Sequence, residues 1–550
     1  MCDILKTLVN ELHHNSNCSD KQLDGKIICL CKYCVYSYDV HGDRGYFQQF
    51  AELSLYSNFK STFGDSWINQ LVTLNENNYS GKILKCLQHD GLKSTMEQQI
   101  NDLITGCTFI GRKSLIKSRL YCQRSFRLFK KCDYVNALNY VNKGLRFAPR
   151  SEDIEDEDGK DALSLAFGCR SHVYSKLGLF YESFLDTVDA HKFAFSEEMK
   201  KSLTDSLERM KHSLITQFGP SILIGLDLPP FDPFDVYLES INSEIDGAVG
   251  SLYIAFEPGK GRTIKTQEPL KAMDTVLIEE PYAVWLIPDS YSKYCAHCLK
   301  SIEHRFIPCK GCIYLRYCSI DCCQENWKLC HSSECYYMAV LKDFSIGFLA
   351  LKVILITGVD HALREYKSRI RNDCIKYTYR ASIKNRFADI LTLLGREDRD
   401  NFLLASTIST ATYLSLLSKA IGLIGDEDLI DFGGLILKLC MIIDTNGLPI
   451  SNELQQNSID NEPDNFYDSV IGVGLYATAS LLNHSCLHNC EPLFIGTKLR
   501  LTTNRNIRQD EELTITYGCS AVSLNYYERQ KWLQEKASFR CYCDICNLQI

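Results

Sequence analysis

The sequence predicts a multidomain α+β protein, and three observations support this prediction. Apolar residues recur at helical spacing between residues 111 and 215. Short β-type runs lie on both sides of a cysteine-rich segment, between residues 249 and 294 and again between residues 441 and 535. A second group of cysteines lies in residues 536–550. This change of texture along 550 residues is typical of several domains.

Composition places the chain among ordinary globular proteins. Hydrophobic residues make up 45% and charged residues 23%. With 60 Lys and Arg against 68 Asp and Glu, the net charge is −8, so we do not expect direct nucleic-acid binding. The 27 cysteines would suit a secreted protein, but the N-terminal residues lack a basic segment followed by an apolar run. We therefore expect reduced thiols and a location in cytoplasm and nucleus.

The longest apolar stretch runs from Phe344 to Val359 and is interrupted by Lys352. It is too short for a confident membrane span, which needs about 20 apolar residues. The stretch therefore predicts a buried helix, and we expect no membrane partner.

Residues 1–110 remain unassigned, although they hold one candidate metal site. Its ligands would be His13, His14, Cys18, Cys29, Cys31 and Cys34. The spacing suits zinc, but free cysteine is also a common small buried hydrophobe. Both interpretations stay open.

Residues 111–215 predict paired amphipathic helices. The segments Tyr134-x2-Ala137-Leu138 and Tyr181-x2-Phe184-Leu185 lie 47 residues apart. If the acidic stretch at 151–160 is a loop insertion, the underlying period is about 34 residues, which resembles the tetratricopeptide (TPR) repeat. An unspecific bundle of helical hairpins is the alternative, because only two repeats are recognisable. A proline-punctuated linker follows at residues 216–248.

A basic run opens this helical region. Its members are Arg112, Lys113, Lys117, Arg119, Arg124, Arg127, Lys130 and Lys131. The run could receive an acidic peptide. Solvated helix faces look the same, and the acidic run Glu155 to Asp158 could neutralise it.

Residues 295–335 carry four pairs of metal-ligand residues. The pairs are Cys295 and Cys298, Cys309 and Cys312, Cys318 and Cys322, and His331 and Cys335. Two ligands separated by two or three residues can hold one side of a tetrahedral Zn²⁺, so four pairs make two sites. The segment has few large apolar residues, and metal bonds must supply most of its folding energy.

Four further segments carry the remaining chemistry. They are Lys260-Gly261-Arg262, Asn483-His484-Ser485-Cys486, the alternating strand Glu511 to Gly518 that contains Tyr517, and Cys541-x-Cys543-x2-Cys546. The last segment has three thiolates, one fewer than a tetrahedral zinc site needs. Cys486 is the obvious fourth ligand.

Residues 295–335 resemble the MYND zinc finger, and the four flanking segments resemble the split SET domain of the SET-and-MYND (SMYD) protein-lysine methyltransferases. With the repeat-like helices ahead of it, the chain is most similar to their TPR-containing branch. The resemblance runs from about residue 250 to residue 546. It implies an S-adenosylmethionine-dependent protein-lysine N-methyltransferase with a protein substrate, histone or not.

The resemblance also implies an order of domains. A first part of the SET domain would occupy residues 249–294, and the MYND finger would interrupt it at 295–335. A helical insertion would follow at 336–440, then the SET core at 441–535 and a zinc-binding post-SET tail at 536–550.

Ligand sets and residue roles are implied in the same way. One structural zinc ion would be held by Cys295, Cys298, Cys318 and Cys322, a second by Cys309, Cys312, His331 and Cys335, and a third by Cys486, Cys541, Cys543 and Cys546. S-adenosylmethionine would contact Lys260, Arg262, Asn446, Asn483, His484, Tyr517 and Phe539. Tyr517 would also be the catalytic residue, with its hydroxyl beside the transferring methyl group.

The sequence departs from the family pattern at several positions. Thr263 replaces a frequent second glycine, His488 replaces a usual proline, and Ala537 stands where relatives commonly have a tyrosine lining the lysine channel. The chain also ends at Ile550, without the C-terminal helical domain that floors the substrate cleft in many relatives, and the N-terminal repeats are a hypothetical replacement. These departures keep open an alternative function: a weakly active or inactive adaptor whose finger and repeats bind proline-containing or acidic peptides.

Overall fold

The computed structural model describes residues 20–23, 26–29, 37–39, 78–107, 111–155, 157–218, 238, 240–371, 383–395, 401–451, 470–537 and 539–549. Three short strands form the first sheet: β1 (Asp20–Leu23), β2 (Lys26–Cys29) and β3 (Ser37–Asp39), in the order β1-β2-β3. Apart from the backbone of Cys29, the candidate N-terminal metal site lies outside the described residues, and so does most of the linker at 216–248.

Among the described residues, seven α-helices precede the remaining strands. They are α1 (Tyr79–Leu87), α2 (Asp90–Cys107), α3 (Leu115–Lys130), α4 (Tyr134–Phe147), α5 (Ala162–Lys176), α6 (Phe180–Phe193) and α7 (Glu197–Phe218). Four of them begin at a side chain that accepts from the third following backbone N–H: Asn78 for α1, Ser114 for α3, Asp133 for α4 and Ser196 for α7. The acidic stretch between α4 and α5 forms short 3-10 turns, as expected for an insertion.

Helices α3 and α4 form one packed pair, and α5 and α6 form a second. The same hydrogen bond recurs in both. Ser125 donates to the carbonyl of Ala137 at 2.8 Å, and Ser171 donates to the carbonyl of Ser183 at 2.9 Å. The two serines are 46 residues apart, close to the 47-residue offset in the sequence. The two pairs are therefore locally equivalent.

The cysteine-rich module, residues 295–335, contains little regular structure. Its elements are β8 (Ile307–Pro308), β9 (Arg316–Tyr317), α8 (Ile320–Asn326), a π turn (Trp327–His331), α9 (Ser332–Glu334) and, just after it, α10 (Met338–Leu341). Ser319 starts α8 by accepting from the backbone N–H of Cys322. Short elements of this kind cannot bury a core of their own.

The helical pairs rest on this module through a buried ionic network. Arg170 of α5 and Asp186 of α6 pair at 2.6 Å, and both side chains are fully buried. Arg305 of the module pairs with Asp186 at 2.8 Å and also with Asp189. Arg170 donates in addition to the carbonyl of Phe306 at 2.8 Å. These contacts connect the helical pairs to the module and not to the predicted substrate cleft. The hypothesis that the repeats replace a wall of that cleft therefore stays a prediction.

A helical layer occupies the interval after the module. It contains α11 (Ser345–Thr357), α12 (Val359–Arg371), α13 (Phe387–Ile390), α14 (Asn401–Ala420) and α15 (Leu429–Asn446). Helices α1 and α2 pack against α14 and α15, where Ile83 lies over Gly433. Residues 78–107, which the sequence left unassigned, thus join this layer.

Helix α11 is buried along most of its length, as the apolar stretch predicted. No single helix among the described residues is long and apolar enough to cross a membrane. The pair α11 and α12 passes such a test only when taken together, and it bends by 103° at its break.

Four further short sheets lie among the described residues, and all but the β4-β5 hairpin join segments that are distant in the sequence. Their strands are β4 (Leu252–Glu257), β5 (Gly261–Thr266), β6 (Thr275–Glu279), β7 (Ala283–Leu286), β10 (Gly447–Ser451), β11 (Val470–Leu475), β12 (Asn483–His484), β13 (Cys490–Ile495), β14 (Lys498–Thr503) and β15 (Thr514–Ile515). The sheet orders are β4-β5, β10-β11-β7, β13-β14-β6 and β12-β15. Strands β6 and β7 precede the module, whereas their partners β14 and β11 follow it.

The alternating segment from Glu511 to Gly518 forms a shorter strand than the sequence predicted. Only Thr514–Ile515 is a strand, and it pairs in parallel with β12. Just before it, the Leu513 N–H donates to the Ile264 carbonyl of β5. The segment thus pairs first with β5 and then with β12 within a few residues, and this change of partner limits the length of the strand.

Candidate methyl-transfer site and its metal clusters

The first ligand set forms a cluster at the edge of the module, which we call the outer cluster (Cys295, Cys298, Cys318 and Cys322). Its four sulfur atoms lie within 4.8 Å of one another. The Sγ of Cys318 is 3.5 Å from that of Cys298 and 3.4 Å from that of Cys322. Four thiolates at about 2.3 Å from a tetrahedral zinc would be about 3.8 Å apart, so the spacing fits. It is far too long for disulfides, at about 2.05 Å.

The second ligand set forms the inner cluster (Cys309, Cys312, His331 and Cys335), and all four residues are buried. His331 Nε2 lies 3.2 Å from the Cys309 sulfur and 3.7 Å from the Cys312 sulfur. The nitrogen that faces the thiols is thus the one that would bind the metal. The donor types and spacing again fit zinc.

A carboxylate and an ammonium group lie directly behind the inner cluster. Glu334 is fully buried and lies 3.3 Å from His331 Nδ1, the ring nitrogen that points away from the thiols. Lys352 of α11 pairs with Glu334 at 3.2 Å. Burial alone would lower the pKa of Lys352, but the neighbouring Cys330 and Glu334 raise it above its ordinary value. The pair is therefore ionic and connects His331, a candidate metal ligand, to a core helix.

The third ligand set joins the end of the chain to the segment after β12, and we call it the tail cluster (Cys486, Cys541, Cys543 and Cys546). Its sulfur atoms lie within 4.8 Å of one another. Cys486 Sγ is 3.9 Å from Cys541 Sγ and 3.4 Å from Cys546 Sγ. Sequence separations of 55 and 60 residues are closed here, so a metal at this point would hold the tail against β12.

Beside the tail cluster, three aromatic rings meet. The rings of His484 and Tyr517 are 5.4 Å apart, and Phe539 packs on both with its edge or face at 6.1 and 6.3 Å. The Tyr517 backbone N–H donates to His484 Nδ1 at 3.1 Å, which leaves Nε2 to carry the ring proton toward the Cys486 sulfur at 3.2 Å. The histidine thereby connects the tyrosine to the tail cluster.

The Tyr517 hydroxyl is held by the main chain. It donates to the carbonyl of Leu482 at 2.8 Å. Burial raises the pKa of Tyr517 to about 12, and the Glu512 carboxylate adds to the rise. The residue as a whole is 39% exposed, so the pKa follows the surroundings of the hydroxyl and not the exposure of the ring. The phenol therefore stays protonated at neutral pH.

Strand β5 and the turn before it bring the basic residues to the same place. Asn483 donates its side-chain N–H groups to the carbonyl of Arg262 at 3.1 Å and to Glu512 at 2.9 Å. Lys260 pairs with Glu512 at 2.7 Å and with Glu257 at 3.0 Å. Lys260, Arg262 and Asn483 are thus in one hydrogen-bonded group.

Asn446 lies at the end of α15 and belongs to the wall of this region. Its side chain donates to the carbonyls of Leu394 and Ile442 at 2.7 and 2.8 Å. Ser480, three residues before Asn483, donates to the Asn446 carbonyl at 3.5 Å. Asn446 is therefore adjacent to the site, but its side-chain amide hydrogens already donate to the carbonyls of Leu394 and Ile442.

Sequence reasoning missed several residues that shape the site. Glu279 is buried and accepts from the backbone N–H groups of Thr478 and Ala479 at 2.8 and 2.9 Å, which fixes the turn before β12. Asn489 is 1% exposed, accepts from the Thr514 N–H and donates to the Glu512 carbonyl, both at 2.8 Å. No local sequence signal marks them, because their partners are distant in the chain.

The departures from the family pattern have simple surroundings. Thr263 is fully buried on β5, opposite Ala255 of β4, and its hydroxyl has no hydrogen-bond partner among the described residues. Ala537 is the last residue of α16 (Tyr526–Ala537), two residues before Phe539. His488 pairs with Glu491. Arg262 donates to the side chain and carbonyl of Thr392 at 3.0 and 2.9 Å, a further contact that the sequence did not predict.

Comparison with known families decides the assignment. The family model described as "SET domain" matches residues 90–518. The chain belongs to the SET-domain family. Among similar proteins, the Protein-lysine N-methyltransferase SMYD4 of Mus musculus is 24% identical over 390 residues, which cover 57% of this chain and 48% of the relative.

Two other SET-and-MYND relatives agree. The Danio rerio protein of the same name is 22% identical over 517 residues, 80% of this chain and 66% of the relative. The Histone-lysine N-methyltransferase SMYD3 of Homo sapiens is 26% identical over 291 residues, 53% of this chain and 60% of the relative. The SET-domain chain therefore spans less than two thirds of the length of each of these SMYD relatives.

Proposed function

We propose that this SET-domain chain is an S-adenosylmethionine-dependent protein-lysine N-methyltransferase. One observation carries the proposal: Tyr517, His484 and Phe539 meet beside the tail cluster, and the Asn483 group with Lys260 and Arg262 adjoins them. The names of the SMYD relatives support the same reaction class.

The proposed architecture is a SET domain split by a MYND finger and a helical insertion, with TPR-like repeats ahead of it. Pairing of β6 with β14 and of β7 with β11 supports the split, because the strands come from both sides of the module. The repeated serine hydrogen bonds of α3–α4 and α5–α6 support the repeats. Three structural zinc ions would fill the outer, inner and tail clusters, since all ligand positions are provided by protein.

When bound, S-adenosylmethionine would supply a methyl group activated on a sulfonium. A substrate lysine must be neutral to accept it, which costs about 4 kcal/mol near neutral pH for an amine with a pKa of about 10.4. A narrow apolar channel would disfavour the ammonium form. Tyr517 would orient the amine with its fixed phenol, and the remaining contribution would be alignment of the reacting atoms. No dedicated protein base is needed.

The test is a pair of measurements on the full chain. We expect S-adenosylmethionine to raise the melting temperature, and we expect Asn483→Ala to remove this stabilisation. We expect methyl transfer to protein substrates to fall at least about 100-fold in Tyr517→Phe. Tyr527→Phe is the matched control, because Tyr527 is an exposed tyrosine that contacts Tyr526. Equal activity of the two Phe variants would contradict the role of Tyr517.

The exposed face of α3 favours a second function, peptide binding by an adaptor. The exposed residues of α3 combine the apolar side chains of Ile116, Leu120 and Phe126 with five cations of the basic run, Lys117, Arg119, Arg124, Arg127 and Lys130. Some cations of the run lie over aromatic rings, such as Arg124 over Tyr140 at 4.5 Å. An acidic peptide with apolar side chains would complement the face. Cofactor binding without methylation of any protein extract would favour the adaptor.

The proposed location is cytoplasm and nucleus, and the proposed partner is a protein with an accessible lysine. Proline-containing peptides at the finger remain a further proposal. These assignments rest on the reduced-thiol composition and on the family resemblance.

A further inference from the structure

Glu512 lies where three segments of the candidate site meet. Its Oε2 accepts from Lys260 at 2.7 Å, and its Oε1 accepts from the Asn483 side chain at 2.9 Å. The Glu512 side chain is 13% exposed. Both carboxylate oxygens are thus engaged, and both partners are residues that the sequence assigned to the cofactor.

The contacts of Asn483 determine how its amide is turned. The amide nitrogen carries two hydrogens, and it faces the Glu512 carboxylate and the Arg262 carbonyl, at 2.9 and 3.1 Å. A carboxylate and a carbonyl can only accept, so the nitrogen must point toward them. The amide oxygen is left as the atom that Asn483 can offer to a ligand, and it can only accept.

A ligand group that uses this oxygen must therefore be an N–H donor. The α-ammonium and the adenine amine of an adenosyl amino acid both belong to this class. With Glu512 removed, one amide hydrogen loses its acceptor, and the Arg262 carbonyl at 3.1 Å is the remaining described contact that holds the amide nitrogen away from the ligand. Whenever the amide turns, its nitrogen faces the ligand and two N–H donors meet.

We propose that Glu512 is a positioning residue of the cofactor site, which orients the Asn483 amide so that its oxygen accepts from an N–H donor of the bound nucleoside cofactor. The inference rests on the proposed function. It assigns to the acidic residue of the Glu512–Lys260 pair a role in cofactor affinity as well as in local structure.

The experiment is titration calorimetry of the full chain with S-adenosylmethionine and, separately, with S-adenosylhomocysteine. Both ligands carry the same N–H donors, but only the first carries the sulfonium charge. In Glu512→Gln, the new amide can donate and competes with the Asn483 hydrogens. We expect both ligands to bind about tenfold or more weakly, the loss associated with one charge-assisted hydrogen bond.

Glu511→Gln is the matched control. The neighbouring carboxylate accepts from Arg505 at 2.6 Å and from the Arg508 backbone at 2.9 Å, so its contacts avoid the proposed cofactor residues. We expect affinities within twofold of the unaltered chain. Equal behaviour of the two Gln variants would overturn the proposal, and so would a loss confined to the sulfonium ligand, which would indicate a charge effect instead.

A double-mutant cycle separates positioning from general structural damage. If Glu512 acts through Asn483, then Glu512→Gln should cost no further affinity in an Asn483→Ala background, titrated at concentrations high enough to measure the residual binding of that variant. Additive losses would overturn the proposal even if Glu512→Gln folds poorly. If the unaltered chain binds neither ligand, the proposed function fails; if it binds and Glu512→Gln binds equally well, only this inference fails.

Discussion

The outer and inner clusters belong to the same module and follow the same spacing rule, yet their surroundings differ. Only Cys295 of the outer cluster is buried, whereas all four inner ligands are. The inner cluster also has Glu334 and Lys352 behind it, and Lys352 comes from core helix α11. Ligand spacing in the sequence therefore predicts which residues bind a metal, but it does not predict how many contacts connect the metal site to the rest of the protein.

Neighbouring elements explain the depth of the inner cluster. Arg112 bridges to Cys312 along the backbone, and the Ile313 N–H donates to the Gly111 carbonyl at 3.0 Å. These contacts place the start of the helical repeats over the inner cluster. The outer cluster has a contact of its own module nearby, between His297 and Glu325 at 3.1 Å. We therefore expect metal loss from the inner cluster to disrupt more of the surrounding structure than metal loss from the outer cluster.

The largest expected effect tests this directly. We expect Cys309→Ser to remove zinc from the inner cluster and to destabilise the module, α11 and the adjacent repeats together, because binding of a structural zinc contributes about 10 kcal/mol or more to folding. We expect Cys298→Ser to lose zinc with a smaller fall in melting temperature. Zinc content and thermal unfolding measure both, and equal falls would break the comparison.

The buried ion pair behind the inner cluster gives the next largest effect. We expect Lys352→Met to lower the free energy of unfolding by about 3–5 kcal/mol, because it leaves the Glu334 charge buried without its cation. Lys367→Met is the control: Lys367 is 30% exposed and pairs with Asp428 at 2.5 Å, so we expect about 1 kcal/mol or less. Denaturant unfolding measures both, and a similar cost for the two variants would contradict the prediction.

A buried carboxylate with backbone partners sharpens the contrast with Glu334. Burial pushes the pKa of Glu334 upward, but Lys352 and His331 together outweigh it and the pKa is lowered, whereas burial raises the pKa of Glu279 from 4.5 to about 7. Between these pH values the folded state binds one more proton at Glu279 than the unfolded state does, so the contribution of Glu279 to stability is fully present below pH 4.5 and is lost as pH rises through 7. The pKa difference corresponds to roughly 3 kcal/mol.

Glu279→Gln should remove this dependence. The measurement is the free energy of unfolding from pH 4.5 to 8, for the unaltered chain and for Glu279→Gln. All other titrating groups contribute equally to the two proteins, so the difference between the profiles reports Glu279. Parallel pH profiles would show that Glu279 does not titrate as described.

The smallest expected effect concerns metal release. We expect Glu334→Gln to speed removal of the inner zinc by a chelator about tenfold, because the carboxylate orients His331. Glu325→Gln, beside His297 near the outer cluster, should leave the inner zinc unaffected. A colour indicator for released zinc measures both rates. An unchanged rate in Glu334→Gln would show that the Glu334 carboxylate does not help to hold the inner zinc.

Much of the site could be predicted because its signals are local. Cys-x2-Cys spacing predicts metal ligands, and the short β-type runs between residues 249 and 294 coincide with β4, β6 and β7. The segment ending in Tyr517 was predicted as a longer strand than Thr514–Ile515, because its change of partner from β5 to β12 leaves no trace in alternation. Asn489 was missed for a similar reason, since its partners lie more than 20 residues away.

Residue type and short spacing in the sequence were enough to predict the candidate metal ligands, the two textures of the chain and the segments that carry the chemistry. The grouping of the ligand pairs within the module came from the family resemblance, and the structure brings the same four residues together in each cluster. Only the tertiary structure decided that Glu512 joins Lys260 to Asn483, across 252 and 29 residues, and that Lys352 meets Glu334. The physical reason is that a charge is positioned by whichever segments pack against it, and packing of distant segments is not encoded in local spacing.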